Sequence, residues 1–190
     1  MIFNACYVKA YVNNEQDYSV EGKISAFIPS SKTSRALFST VLPLYEIQIA
    51  KIFWHWQTWL NIGYLHAKGR ALGCNSKTKI RVVPVTFGLS YLYIIDDAWT
   101  MHTGIGVCWS FLKNKDYSPF VLNNNSGQTA GGLFRLGFTR QLTNHTFVDL
   151  FTQYLYQKFS FNRSDPSKYT VRNNFDISGF CLGIGFGGNF

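Results

Sequence analysis

No run of about 18 consecutive apolar residues occurs in the 190-residue chain, which excludes a transmembrane helix. Charge is scarce too: 15% of residues are Asp, Glu, Lys or Arg, against roughly 25% in ordinary soluble domains. The four cysteines (Cys6, Cys74, Cys108 and Cys181) contain no CxxC pair and no metal-ligand spacing, so no metal site or cofactor is expected. The first residues, MIFNACYVKAYVNNEQDYSV, lack the basic start and apolar core of a signal peptide. Beyond residue 20 no domain boundary and no solenoid repeat is visible.

Aromatic residues, at 17%, are abundant. Mean hydropathy is near neutral at -0.04, a value that strict alternation produces by averaging two unlike faces. The last stretch, SGFCLGIGFGGNF (178–190), shows the pattern most plainly. Phe180, Leu182, Ile184, Phe186 and Phe190 share one parity, and Gly179, Cys181, Gly183, Gly185, Gly187 and Asn189 the other. A period of two means a strand. A soluble sheet would set Lys, Glu or Thr on its wet face, and glycine weakens a strand interior. A membrane barrel turns the bulky face to lipid and leaves small residues to a narrow lumen.

The alternation recurs seven more times. Residues 20–28 put Val20, Ile24 and Ile28 opposite Glu21, Lys23, Ser25 and Phe27, and 45–53 put Tyr45, Ile47 and Ile49 opposite Glu46, Gln48 and Ala50. In 57–67, Leu60, Ile62 and Tyr64 oppose Asn61 and Gly63, with Trp59 a bulky inward exception. In 81–93, Val83, Val85, Phe87, Leu89, Tyr91 and Tyr93 oppose Pro84, Thr86, Gly88 and Ser90, and Pro84, having no donor, predicts a bulge or local defect. Residues 99–111 set Trp99, Met101, Ile105, Val107, Trp109 and Phe111 against Thr100, His102, Gly104, Gly106, Cys108 and Ser110. The strands 129–139 and 147–157 turn Phe134, Leu136, Phe138, Val148, Leu150, Tyr154 and Tyr156 outward, and Leu133, Arg135, Gly137, Asp149, Gln153 and Gln157 inward. Spacers alternate as well: long after strands one, three, five and seven, and short after two, four and six.

Over residues 20–190 this pattern resembles the small eight-stranded outer-membrane barrels, the group of the OmpA membrane domain, OmpX and OmpW-like proteins. Strand number, loop asymmetry and the terminal aromatic Phe190 carry the resemblance. It implies an all-β, antiparallel up-and-down transmembrane barrel in the bacterial outer membrane, with short periplasmic turns and long outer loops. It also implies that Phe190 is an assembly signal read by the barrel-insertion machinery. Residues 1–19 are then expected to be a periplasmic segment or a residual leader.

In lipid, each outward Phe, Trp, Leu or Ile contributes roughly 1.5–3 kcal/mol. Lys51, the one outward lysine within the strands, lies beside a short turn, where its cost falls to about 0–1 kcal/mol. Aromatics gather at two levels, Phe53, Trp54, Trp56, Tyr91, Tyr93, Trp99, Phe147 and Phe190 at one and Tyr64, Trp109, Phe111, Tyr154 and Tyr156 at the other, as membrane interfaces select.

The inward charges are Glu21, Lys23, Glu46, Arg135 and Asp149. An unpaired buried charge is expensive, so Arg135 is expected to pair with Glu46 or Glu21 and plug the lumen. For Glu21 and Lys23, separate solvation near the lumen mouths is the other expectation. The outer loops are basic, carrying Lys32, Arg35, Lys68, Arg70, Lys77, Lys79, Lys113, Lys115, Arg163, Lys168 and Arg172. Outer-membrane lipid, including anionic glycolipid, is the expected partner, and nucleic acid is not.

Of four histidines, His66 alone lies near an outer end, with Tyr64 beside it on the same face, and no nucleophile–base pair can be named. Cys108 and Cys181 point inward at similar height on strands five and eight, too far apart for a disulfide. The expected protein is a monomeric, non-enzymatic barrel serving envelope structure or surface contact. A narrow channel and a lipid-modifying enzyme are the alternatives. A soluble ligand-binding barrel would overfill its interior with aromatic rings.

Overall fold

The computed structural model describes residues 18–70, 77–116, 124–163 and 171–190. Alternation is realised as strands β1 (Tyr18–Pro29), β2 (Leu42–Phe53), β3 (Trp56–Arg70), β4 (Lys77–Ile94), β5 (Trp99–Asp116), β6 (Asn124–Gln141), β7 (Thr146–Arg163), β8 (Val171–Asp176) and β9 (Gly179–Asn189). β1 to β7 each pair antiparallel with the strand that follows, β7 pairs also with β9, and β9 returns to β1. The sheet is closed. β8 and β9 continue one register against β7, interrupted at Ile177 and Ser178, so the barrel has eight staves. At the interruption the Gln157 amide donates to Ser178 Oγ at 3.0 Å, which keeps the interior ladder satisfied.

Closure is staggered. The hydrogen-bonded partner of Ser19 is Ala50, followed in turn by Trp59, Gly88, Gly106, Leu133, Leu155 and Gly179, and the path re-enters β1 at Pro29. The shear is therefore ten residues. With a rise of about 3.3 Å and a strand spacing of about 4.8 Å, it sets a tilt of about 40° and a backbone radius of about 8 Å. Such an interior holds side chains and little else.

The faces fall as parity dictates. Ile47 is 64% exposed and Ile105 68%, while Trp59 and Arg135 are each 1% exposed. On β5 the outward apolar series runs from Trp99 to Phe111; at this tilt it spans about 30 Å, close to the ~25 Å apolar band of outer-membrane barrels. The Lys51 ammonium rests 5.1 Å over the Tyr18 ring at the lower edge of that band. Pro84 produces a gap and no bulge. Pairing of β3 with β4 is interrupted between Ile62–Val85 and Leu65–Val82 without a register change. The Pro84 ring fills the space over Gly63, where an added Cβ would meet Pro84 Cγ at 2.8 Å.

The strands run further than the sequence pattern indicated. β4 to β7 each have 18 residues, whereas a tilted crossing needs about 9–11. The surplus stands above the outer edge of the apolar band. Between β1 and β2 lies a six-residue helix, α1 (Lys32–Leu37), capped by Ser31. Ser34 Oγ donates to the Asp176 carbonyl at 2.6 Å, and Phe38 packs against the barrel's apolar interior, so this connection lies against the outer mouth. Periplasmic turns are tight, and Trp54 adopts φ 59 in the turn between β2 and β3.

Candidate functional site

The lumen has two halves of opposite character. The outer half is mainly apolar: Phe27, Leu42, Leu44, Leu65, Val82 and Leu112 belong to a continuous buried cluster, with Gln157 donating to Ser110 Oγ among them. Cys108 and Cys181 are both buried there as free thiols, as their non-adjacent staves require. The periplasmic half is polar and charged, with Glu21, Lys23, Glu46, Arg135 and Asp149 all buried.

The sequence expectation that Arg135 pairs directly with Glu46 or Glu21 is corrected by the geometry. Two glutamines stand between the charges. Arg135 donates to Gln48 Oε1 and, at 3.3 Å, to Gln153 Oε1. Gln48 Nε2 in turn donates to Glu21 Oε2 at 3.2 Å, and Gln153 Nε2 to Glu46 Oε2 at 3.2 Å. Asn61 Nδ2 completes Glu46 with a 2.7 Å bond to Oε1. An amide presents acceptor and donor side by side, so each glutamine relays guanidinium to carboxylate.

Glu21 and Lys23 are not separately solvated. Lys23 Nζ lies 3.1 Å from Glu21 and 3.7 Å from Asp149, and Gln48 Oε1 accepts from it at 3.1 Å. Asp149 also binds His102 Nε2 at 2.8 Å and the Thr139 hydroxyl at 3.1 Å. Aromatic faces complete the shell: Arg135 lies over Trp59 at 4.4 Å and Lys23 over Phe151 at 4.7 Å. Trp59 Nε1 donates to Ser90 Oγ at 2.9 Å. A residual cavity of about 30 Å³ borders Glu21, Lys23, His102, Arg135 and Asp149, room for one or two waters.

The lumen glycines are explained by these large groups. A Cβ on Gly106 would meet Trp59 at 2.7 Å, and one on Gly183 would meet Phe151 at 2.6 Å. Gly137 lies against His102, Gly185 against Glu21 and Gly187 against Phe147. The last contact corrects the reading of Phe147 as a lipid-girdle residue. Phe147 is 7% exposed and faces inward at the periplasmic end, sharing parity with Asp149. The remaining girdle is largely outward, with Tyr64, Trp109, Phe111 and Tyr156 exposed above and Phe53, Trp54, Trp56, Tyr93 and Phe190 below. Tyr154 is half-buried against Phe180 at 4.7 Å.

Most basic residues read as loop residues lie on strands. Lys68 and Arg70 close β3, Lys77 and Lys79 open β4, Lys113 and Lys115 extend β5, and Arg163 and Arg172 belong to β7 and β8. Lys32 and Arg35 are on α1, and Lys168 lies outside the described residues. The cause is length: the strands continue past the lipid band.

Strand number, closure and a bulky apolar exterior define a small transmembrane β-barrel of the bacterial outer-membrane type. No protein-family model matches the chain, and no curated protein matches it by sequence. Among solved structures it is similar to the outer membrane protein OprG from Pseudomonas aeruginosa, at 18% identity and a TM-score of 0.67 over 92% of this chain and 96% of that one. It is similar also to the outer membrane protein AlkL, at 15% identity and a TM-score of 0.62 over 100% and 94%. A third is Ail of Yersinia pestis, determined in complex with the heparin analogue sucrose octasulfate, at 11% identity and a TM-score of 0.54 over 90% and 95%. At such identities the likeness is one of fold.

Proposed function

We propose that this protein is a closed, non-conducting and non-enzymatic outer-membrane barrel that serves envelope structure and surface contact through its basic outer rim. The filled lumen carries this reading. An ion crossing it would have to leave the Arg135–Gln48–Glu21 network and enter an outer half lined by Phe27, Leu44, Leu65 and Leu112, all buried. Transferring a bare charge into such surroundings costs several kcal/mol or more. Surface contact draws support from charge, since the rim carries Lys32, Arg35, Lys68, Lys79, Arg81, Lys113 and Lys115. A barrel of the same fold, Ail, takes the polyanion sucrose octasulfate.

Single-channel recording in planar bilayers tests the closed lumen. The expected record is flat at the seal resistance, and discrete conductance steps from the purified protein would overturn the proposal. The narrow-channel reading has the ~30 Å³ polar cavity in its favour, and the same recording decides it. Mass spectrometry of outer-leaflet lipid from cells with and without the protein tests the non-enzymatic part. The expected lipid profiles are identical.

A further inference from the structure

Three adjacent strands change from apolar to cationic at one level of the outer wall. The outward series on β3 runs Leu60, Ile62, Tyr64, His66, Lys68; on β4 it runs Val85, Val83, Arg81, Lys79; on β5 it runs Trp109, Phe111, Lys113, Lys115. Register then sets the cations side by side. Arg81 is the partner of Lys113, while Lys68 is the partner of Lys79 and Lys79 of Lys115. Like charges directly opposed on neighbouring strands repel.

Lys68, Arg81 and Lys113 are exposed and form no ion pair among the described residues. Elsewhere the rim is different. The outward positions at this level are Gln128 and Ser126 on β6, Pro43 on β2 and Ile28 on β1, and Lys158 on β7 is the other described strand cation there.

We propose that Lys68, Lys79, Arg81, Lys113 and Lys115 form a binding site for the phosphate groups of an outer-leaflet glycolipid. Its acyl chains descend the wall over Tyr64, Val83 and Phe111. Two facts favour a lipid over a soluble polyanion. The cations project sideways from the wall, and the first of them follows the last apolar residue by two positions on β4 and β5, about 5 Å along the barrel axis. That level is the headgroup layer, where a molecule carrying both phosphate and acyl chain meets both parts of the surface at once. This deepens the surface-contact reading above and rests on it.

The test uses the full chain folded in detergent, with native mass spectrometry as readout. A bisphosphorylated glycolipid, its dephosphorylated counterpart and sucrose octasulfate are titrated against wild type, a Lys68→Gln/Arg81→Gln/Lys113→Gln variant and a Lys51→Gln control at the periplasmic edge. The triple variant is expected to lose about tenfold or more of its affinity for the phosphorylated lipid, the control to match wild type, and the dephosphorylated lipid to bind weakly throughout. Equal binding by wild type and triple variant, or equal binding of the two lipids, overturns the site. Displacement of the lipid by lower concentrations of sucrose octasulfate overturns the lipid assignment in favour of a soluble polyanion. Heat-modifiable gel migration checks folding; should the triple variant not fold, Arg81→Gln alone, with the salt dependence of wild-type binding, gives the same decision. Conductance steps would defeat the closed-barrel reading while leaving this binding result intact.

Discussion

The guanidinium of Arg135 lies 4.4 Å from the indole centroid of Trp59, and both groups are buried in the lumen. The contact is possible because Gly88 and Gly106 leave the space the ring occupies. A single cation thereby anchors a network that reaches Glu21 through Gln48 and Glu46 through Gln153.

Arg135→Met leaves that network short of its central cation. A buried pair broken by removing one partner costs about 3–5 kcal/mol. The urea midpoint of the barrel in lipid vesicles should fall accordingly, with a shift in Trp59 emission. Arg135→Lys should fall between, since an ammonium reaches one glutamine well and lacks the planar fork for both. An unchanged midpoint in Arg135→Met would show that the amide relay does not hold the carboxylates.

Glu46→Leu is destabilising in spite of its similar size. Both Glu46 oxygens accept from amide nitrogens, Asn61 Nδ2 at 2.7 Å and Gln153 Nε2 at 3.2 Å. A leucine there leaves both nitrogens without an acceptor. Flipping Gln153 to relieve this would aim its nitrogen at Arg135. The expected loss is about 1–3 kcal/mol, read from equilibrium unfolding, and a neutral result counts against the assigned amide orientations.

Two glycines on opposite faces should respond oppositely. At Gly183 an added Cβ meets Phe151 and the Ile24 carbonyl at 2.6 Å, whereas nothing lies within 4 Å at Gly22. Gly183→Val should cost about 1–3 kcal/mol by overpacking. Gly22→Val should be neutral or stabilising, as it adds apolar surface facing acyl chains. Parallel unfolding curves make the comparison, and equal losses at both sites would mean that the lumen is looser than described.

Orientation is tested directly by charge at two depths. Ile105→Lys, near the middle of the β5 series, should cost about 2–4 kcal/mol in a bilayer, and Phe111→Lys, at its outer end, about 0–1 kcal/mol for the charge itself. Indifference to lysine at Ile105 would mean that this wall does not meet lipid.

Much of this architecture was legible because strand parity is insensitive to small errors in strand ends. Trp59 stood out as a bulky inward residue, and the glycines of β9 signalled a crowded interior. Level alone places Phe147 in the lipid girdle; its parity, shared with Asp149, turns it inward. The strand extensions were read as loops because they are charged. Yet Lys68 and Arg70, Lys77, Lys79 and Arg81, and Lys113 and Lys115 recur at every second residue, which is itself the strand period. Partners across the lumen were beyond reach. Whether Arg135 meets Glu46 or Gln153 depends on eight registers together, and these are fixed by side chains already in place.

The ten-residue offset between Ser19 and Pro29 makes the interior a gauge of assembly. Sliding one stave by two residues would keep every side chain on its proper face yet alter the bore. Closing at eight or twelve would narrow or widen the backbone by roughly 0.7 Å in radius. At the tighter setting Trp59 and Phe151 would be pressed against the Arg135 guanidinium they flank; at the looser one Arg135 would drift from its glutamines. Lipid, which sees only the outside, cannot tell these cylinders apart, so the final seam between the first and last staves is chosen by what fills the middle.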